Sequence, residues 1–259
     1  MDFTLLFGLL IPFIGTSLGA SFVFFSKGKL NEVSEKRLLG FAAGIMMAAS
    51  VWSLIDPALA QSSHLGRLSF VPAAAGFWIG ILFLLMLDLL IPHFHPNSRQ
   101  TEGIRSSLSR PILISLAVTL HNLPEGMAVG TVYAAASEQD GISAVSLISL
   151  ATGIAIQNIP EGAIVSMPLA SMGRSRMVSF AAGVLSGLAE PLGAILIVFL
   201  SSFLTDSLPY MLSFAAGAMI YVVVEDLIPE MSQGNHSNYG VLSFSAGFTL
   251  MMALDAGLG

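Results

Sequence analysis

The chain has 259 residues, of which 54% are hydrophobic and 10% charged, with a net charge of −6 and no cysteine. Soluble domains carry about 25% charged residues, so an ordinary water-soluble fold is excluded. Without cysteine there are no disulfides and no thiolate ligands, and any bound metal must be held by oxygen and nitrogen.

Runs of about 20 apolar residues mark membrane-spanning helices. Eight occur, at about 3–25, 38–56, 70–92, 111–136, 142–168, 177–203, 208–229 and 241–258. They leave little soluble mass, so one all-α integral membrane domain is expected over residues 1–259. The first run has no basic segment before it and reads as a span rather than a cleaved signal peptide. It contains Gly15-Thr16-Ser17-Leu18-Gly19, which fits both the GxSxG of serine hydrolases and the GxxxG of packed membrane helices. An intramembrane hydrolase would use Ser17 as nucleophile and His121 as base. Packing is favoured, because Gly40/Gly44, Gly76/Gly80 and Gly183/Gly187 repeat the spacing without a serine at the middle position, and no HExxH occurs.

Span 2 carries Phe41-Ala42-Ala43-Gly44, Met46 and Leu54-Ile55, and span 7 carries Phe214-Ala215-Ala216-Gly217, Met219 and Leu227-Ile228 at the same spacing. Phe77, Gly80 and Leu87-Asp88 of span 3 return as Phe244, Gly247 and Leu254-Asp255 of span 8. An offset of five spans reverses the direction through the membrane. The expected architecture is therefore an inverted repeat, spans 1–3 against 6–8, around a mutually inverted central pair, spans 4 and 5. Asp56, near the outer end of span 2, is a candidate entrance residue. Asp88, Glu225, Asp226 and Glu230 lie toward the opposite ends of spans 3 and 7, and with His93 and His95 they form a candidate exit site.

The central pair carries the strongest signal. His121-Asn122-Leu123-Pro124-Glu125-Gly126 in span 4 returns as Gln157-Asn158-Ile159-Pro160-Glu161-Gly162 in span 5. Ionisable groups in hydrocarbon are costly and mark substrate paths. On a helix Glu125 falls one turn from both His121 and Asn122, so its carboxylate can serve two adjacent ion positions. Glu161 repeats this on the partner helix. Glu125 and Glu161 are then bridging ligands, with His121 and Gln157 flanking one position and Asn122 and Asn158 the other. Pro124 and Pro160 are expected to break each helix and free the carbonyls of Leu120 and Ile156. Glu190, beside Pro191 in span 6, supplies a third acid to the Asn122–Asn158 position. The arrangement suits a small divalent cation. Binding should displace protons and so strengthen as pH rises.

Nine of the ten Lys and Arg residues fall in loops on one side: Lys27, Lys29, Lys36, Arg37, Arg99, Arg105, Arg110, Arg174 and Arg176, with Arg67 alone opposite. That side reads as cytoplasmic, with both termini outside. The outer loops carry Glu138, Asp140 and Asp206, which attract cations mildly. Basic residues confined to short loops exclude nucleic acid as a partner.

The two signature copies, with Gly187-Leu188-Ala189-Glu190-Pro191-Leu192-Gly193 in span 6, resemble the ZIP (Zrt/Irt-like) family of metal transporters, in particular its bacterial GufA-type branch. The resemblance covers essentially the whole chain. It implies a binuclear centre at His121, Asn122, Glu125, Gln157, Asn158, Glu161 and Glu190, and uptake of Zn(II) toward the cytoplasm by alternating access. Cd(II), Fe(II) and Mn(II) are further candidate ions, and a metal channel of the same fold is the alternative mechanism. The setting implied is multi-pass, in a bacterial inner (plasma) membrane, with lipid and the metal ion as partners and room for a homodimer. Many members have His and Asp where this chain has Gln157 and Asn158, so its centre carries less negative charge.

Overall fold

The computed structural model describes residues 3–25, 30–94, 103–137, 142–203, 207–234 and 237–258. Most of these residues, 87%, are helical, and there is no strand among them. The long helices are α1 (Phe3–Ser21), α2 (Glu32–Gln61), α3 (Phe70–Leu90), α4 (Arg110–Ala136), α5 (Ala144–Ser171), α6 (Arg176–Ser201), α7 (Leu208–Ser232) and α8 (Tyr239–Leu258). Among the described residues seven are long and apolar enough to cross a membrane. The other is α5, 28 residues long, whose hydropathy is lowered by Gln157, Asn158, Pro160 and Glu161 at its middle.

Local chemistry accounts for the helix starts. Asn31 Oδ1 accepts from the Ser34 amide at 2.8 Å to cap α2, and Ser143 and Ser175 cap α5 and α6 in the same way. The start of α2 lies several residues before the apolar run expected from sequence. Its first turns are polar, held by a Glu32–Lys36 pair at 2.9 Å one turn apart, and so extend beyond the apolar run.

Regular winding is interrupted, but not at Pro124 or Pro160. Pro124 and Pro160 were expected to break their helices, yet α4 and α5 run through both. A proline costs one backbone bond and displaces one carbonyl, and the bonds on either side suffice to carry the helix past it. The departures fall elsewhere. One π-helical turn spans Ser50–Ile55 in α2, another spans Val223–Leu227 in α7, and α6 has a break at Leu188. Ser50 and Val223 are equivalent positions under the Phe41–Phe214 correspondence, so the two turns lie at matching places in the two halves.

Helices pack in pairs through glycines that admit the backbone of a partner. Gly162 of α5 lies against the Thr16 carbonyl of α1, and Gly19 of α1 lies against the Ile159 carbonyl of α5. The α4–α6 pair repeats the exchange, with Gly126 against the Glu190 carbonyl and Gly193 against that of Leu123. The α2–α8 and α3–α7 pairs do the same, through Gly44 with Phe244 and Gly217 with Phe77. No Cβ fits at these contacts, which is how small residues let membrane helices approach. The main core, with Ile45, Met46, Leu54, Leu84, Val129, Leu150, Ile154, Leu212, Met219 and Met251, fills the space where α2, α3, α4, α5, α7 and α8 meet. Outward faces are apolar, as at Trp78, Ile79, Leu82, Leu192, Phe199 and Leu242, and suit contact with lipid.

Candidate metal centre

The centre forms at the middle of α4 and α5. Asn122, Glu125, Gln157 and Asn158 are fully buried, Glu161 is 4% exposed and Glu190 of α6 is 1% exposed. The two signature copies are tied directly, because Gln157 Nε2 donates to Glu125 Oε1 at 2.5 Å. Asn158 lies beside both Glu125 and Glu190 without forming a well-aligned hydrogen bond to either. Glu161 is the electrostatic neighbour of Glu125, Glu190 and His121. Three carboxylates thus gather in the protein interior, and among the described residues no Lys or Arg pairs with them.

Nine buried side-chain atoms here have no protein hydrogen-bond partner: both polar atoms of Asn122 and of Asn158, both carboxylate oxygens of Glu161, Glu125 Oε2, Gln157 Oε1 and Glu190 Oε2. Buried polar atoms are normally satisfied, so such a concentration calls for a ligand. Of the nine, seven are oxygens, and oxygen with imidazole nitrogen is a donor set for a divalent cation. Among the described residues no three His, Asp or Glu side chains already close around one point. Amides make up much of the donor set, and Glu125 and Glu190 each have one oxygen engaged by a protein donor.

Two features escaped the sequence. The first is Thr16 of α1, fully buried, whose Oγ1 donates to Glu190 Oε1. The second concerns His121. Its Nε2 lies 2.8 Å from Asp226 Oδ2, so it links the centre to α7 instead of standing only with Gln157. Asp226 sits in the π-helical turn of α7, which adds a residue to the winding and aims an otherwise peripheral side chain inward.

The candidate exit residues divide. Asp88 Oδ1 lies 3.1 Å from His93 Nε2, and His93 Nδ1 donates to the Ile91 carbonyl at 2.8 Å. Asp88, His93, His121, Tyr221 and Asp226 line one small cavity that meets the centre at His121. Glu230 belongs elsewhere, in a groove with Glu32, Glu35 and Lys36. Glu225 is exposed, and His95 lies outside the described residues. Asp56 is exposed at the end of the α2 π-turn and does not reach the centre. Lys27, Lys29, Arg99, Glu138, Asp140 and Asp206 also lie outside the described residues.

The fold and site together define a multi-pass integral membrane protein with a buried carboxylate–amide centre. The family described as "ZIP Zinc transporter" matches residues 94–255. The chain is 34% identical to Zinc transporter ZIP11 of Xenopus tropicalis, over 98% of this chain and 97% of that protein. It is 37% identical to Zinc transporter ZIPB of Bordetella bronchiseptica over 95% of this chain and 79% of that protein, and 34% identical to Zinc transporter ZupT of Shigella dysenteriae over 96% and 99%. The chain belongs to the ZIP family. That is a family of transporters, not enzymes, so the hydrolase reading of Gly15–Gly19 is set aside. The glycines of that motif pack against the α5 backbone at Ala155 and Ile159.

Proposed function

We propose that the protein carries divalent metal ions, Zn(II) foremost, across the membrane toward the cytoplasm, and that the ion is held between α4 and α5. The observation that carries this reading is the set of nine buried, unpartnered polar atoms on Asn122, Glu125, Gln157, Asn158, Glu161 and Glu190. His121 completes the donor set and leads to the cavity at Asp226, Asp88 and His93, which serves as the way out. Eight spans with both termini outside, related by an inverted repeat of α1–α3 to α6–α8, fit the reciprocal glycine contacts and the matched π-turns. The glycine-lined contacts permit the sliding that alternating access requires. Cd(II), Fe(II) and Mn(II) compete for the same oxygen-rich centre. A bacterial inner membrane is the expected location, and a homodimer would bury part of the exposed apolar surface.

The test is uptake by proteoliposomes of the parent, Glu125→Ala and Glu161→Ala across Zn, Mn, Fe and Cd. Both variants are expected to reach the membrane folded and to lose transport of all four ions. Zn(II) uptake at the parental rate by either variant would remove the centre from the path. Flux that saturates at low metal concentration distinguishes the carrier from a channel.

A further inference from the structure

The segment Gly15–Gly19 holds more than packing. Gly15 and Gly19 seat α1 against the α5 backbone, which fixes the rotation of α1 and turns Thr16 toward α6. Two α6 positions three residues apart then receive the Thr16 side chain. Its Cγ2 methyl lies over Gly187, where an added Cβ would stand 3.1 Å from it, and its hydroxyl donates to Glu190 Oε1. The same hydroxyl lies 3.4 Å from the Pro12 carbonyl. The methyl contact and the two acceptors of the hydroxyl together hold a single rotamer.

The consequence falls on Glu190. Oε1 is engaged by Thr16, whereas Oε2 is buried with no protein partner. A carboxylate with one oxygen so held offers a metal ion the free oxygen first, because the hydrogen bond draws electron density from the other. One-oxygen ligation suits Zn(II), which takes few ligands in tetrahedral geometry. Mn(II), which prefers six oxygen ligands, gains more when a carboxylate can contribute both oxygens. The hydroxyl also donates to the charged form of the ligand and orients it, as partners of metal-bound carboxylates do.

We propose that Thr16 is a specificity-determining residue, acting through Glu190: it favours ligation by one oxygen of Glu190 and thereby biases the centre toward Zn(II) over Mn(II). The inference rests on the placement of the transported ion at Glu190 described above. Position 16 is also where the two halves of the molecule differ in chemistry. The Thr16 carbonyl lies on Gly162 as the Glu190 carbonyl lies on Gly126, so equivalent places in the packing hold a hydroxyl in α1 and an acid in α6.

The experiment compares Zn(II) and Mn(II) uptake by proteoliposomes of the parent, Thr16→Val, Thr16→Ser, Ser17→Ala and Glu190→Ala. Thr16→Val keeps the branched shape over Gly187 and removes the donor. It is expected to raise the Zn(II) concentration for half-maximal uptake about tenfold and that for Mn(II) by much less, so that the Mn/Zn preference rises severalfold. Thr16→Ser is expected to restore the parental ratio, and Ser17→Ala to leave it unchanged. A purely structural role would lower transport of both ions together. An unaltered ratio in Thr16→Val, or a ratio not restored by serine, overturns the proposal. If Thr16→Val fails to insert, Thr16→Ala removes the same donor with less bulk and is read by the same ratio. Glu190→Ala separates the two claims: loss of transport there with an unaltered Thr16→Val ratio sinks only the role of Thr16, and full transport there takes Glu190 out of the ion's path and overturns the proposal with it.

Discussion

An amide and a carboxylate of similar shape differ by one charge, and in a buried site that charge sets how firmly a dication is held and how readily it leaves. Asn158 lies beside both Glu125 and Glu190. Asn158→Asp is expected to lower the Zn(II) concentration for half-maximal uptake about tenfold, equivalent to about 1.4 kcal/mol. Maximal rate should fall with it, because an ion held too tightly is released slowly. Uptake kinetics of the single variant check this, and an unchanged half-saturation would place the ion away from residue 158. Metal also competes with protons for the carboxylates, so half-saturation of the parent should fall as external pH rises from acidic to neutral. A concentration dependence indifferent to pH would count against carboxylate ligation. Much of this cluster was legible in the sequence, because Glu125, Gln157, Asn158 and Glu161 recur at helical spacing in two copies. The link between His121 and Asp226 was not, since it depends on how α7 is wound and on a partner far away in the chain. Nor was Thr16, whose motif has a complete explanation in packing alone.

At the scale of helices, the pairings rest on glycines that leave no space for a side chain. Gly162 meets the Thr16 carbonyl and Gly126 meets the Glu190 carbonyl, so each contact also sets the spacing of the centre. Gly162→Ala is expected to destabilise the protein by about 1–3 kcal/mol, because backbone rather than a flexible side chain must move. It should also depress uptake by drawing α1 away from α5. Gly257→Ala, at a position with nothing within 4 Å, should leave both unaffected. Thermal unfolding in detergent measures the first effect, and equal melting temperatures for the two variants would mean the close approach is not required. The GxxxG spacings foretold the use of glycine, and composition foretold the apolar helices. The π-turns did not follow from local sequence. Proline advertises a break, yet α4 and α5 continue through Pro124 and Pro160. The π-turns of α2 and α7 have no such signpost, because an extra residue in a helix is stabilised by tertiary contacts such as Ser53 Oγ to Asp255 Oδ1 at 2.9 Å.

For the molecule as a whole, Lys36, Arg37 and Arg176 lie at one end. Lys36 pairs with Glu32 at the start of α2, and Arg37 lies 4.5 Å over the Tyr239 ring at the start of α8. Arg176, at the start of α6, donates to the Phe24 carbonyl just after α1. Glu230 and Gln233, at the end of α7, share a groove with Glu32 and Lys36. The starts of α2, α6 and α8 therefore lie with the ends of α1 and α7, as helices crossing alternately would place them. Positive residues are retained on the cytoplasmic side, so this end should face the cytoplasm. The absence of native cysteine makes the orientation directly measurable. Ser63, exposed in the short turn between α2 and α3, should lie outside, and Ser107, exposed before α4, should lie inside. In intact cells a membrane-impermeant maleimide is expected to label Ser63→Cys and to label Ser107→Cys only after permeabilisation. The reverse pattern would invert the protein in the membrane. The cavity at Asp88, His93 and Asp226 would then be the way in, and the proposed direction of transport would have to be reversed with it.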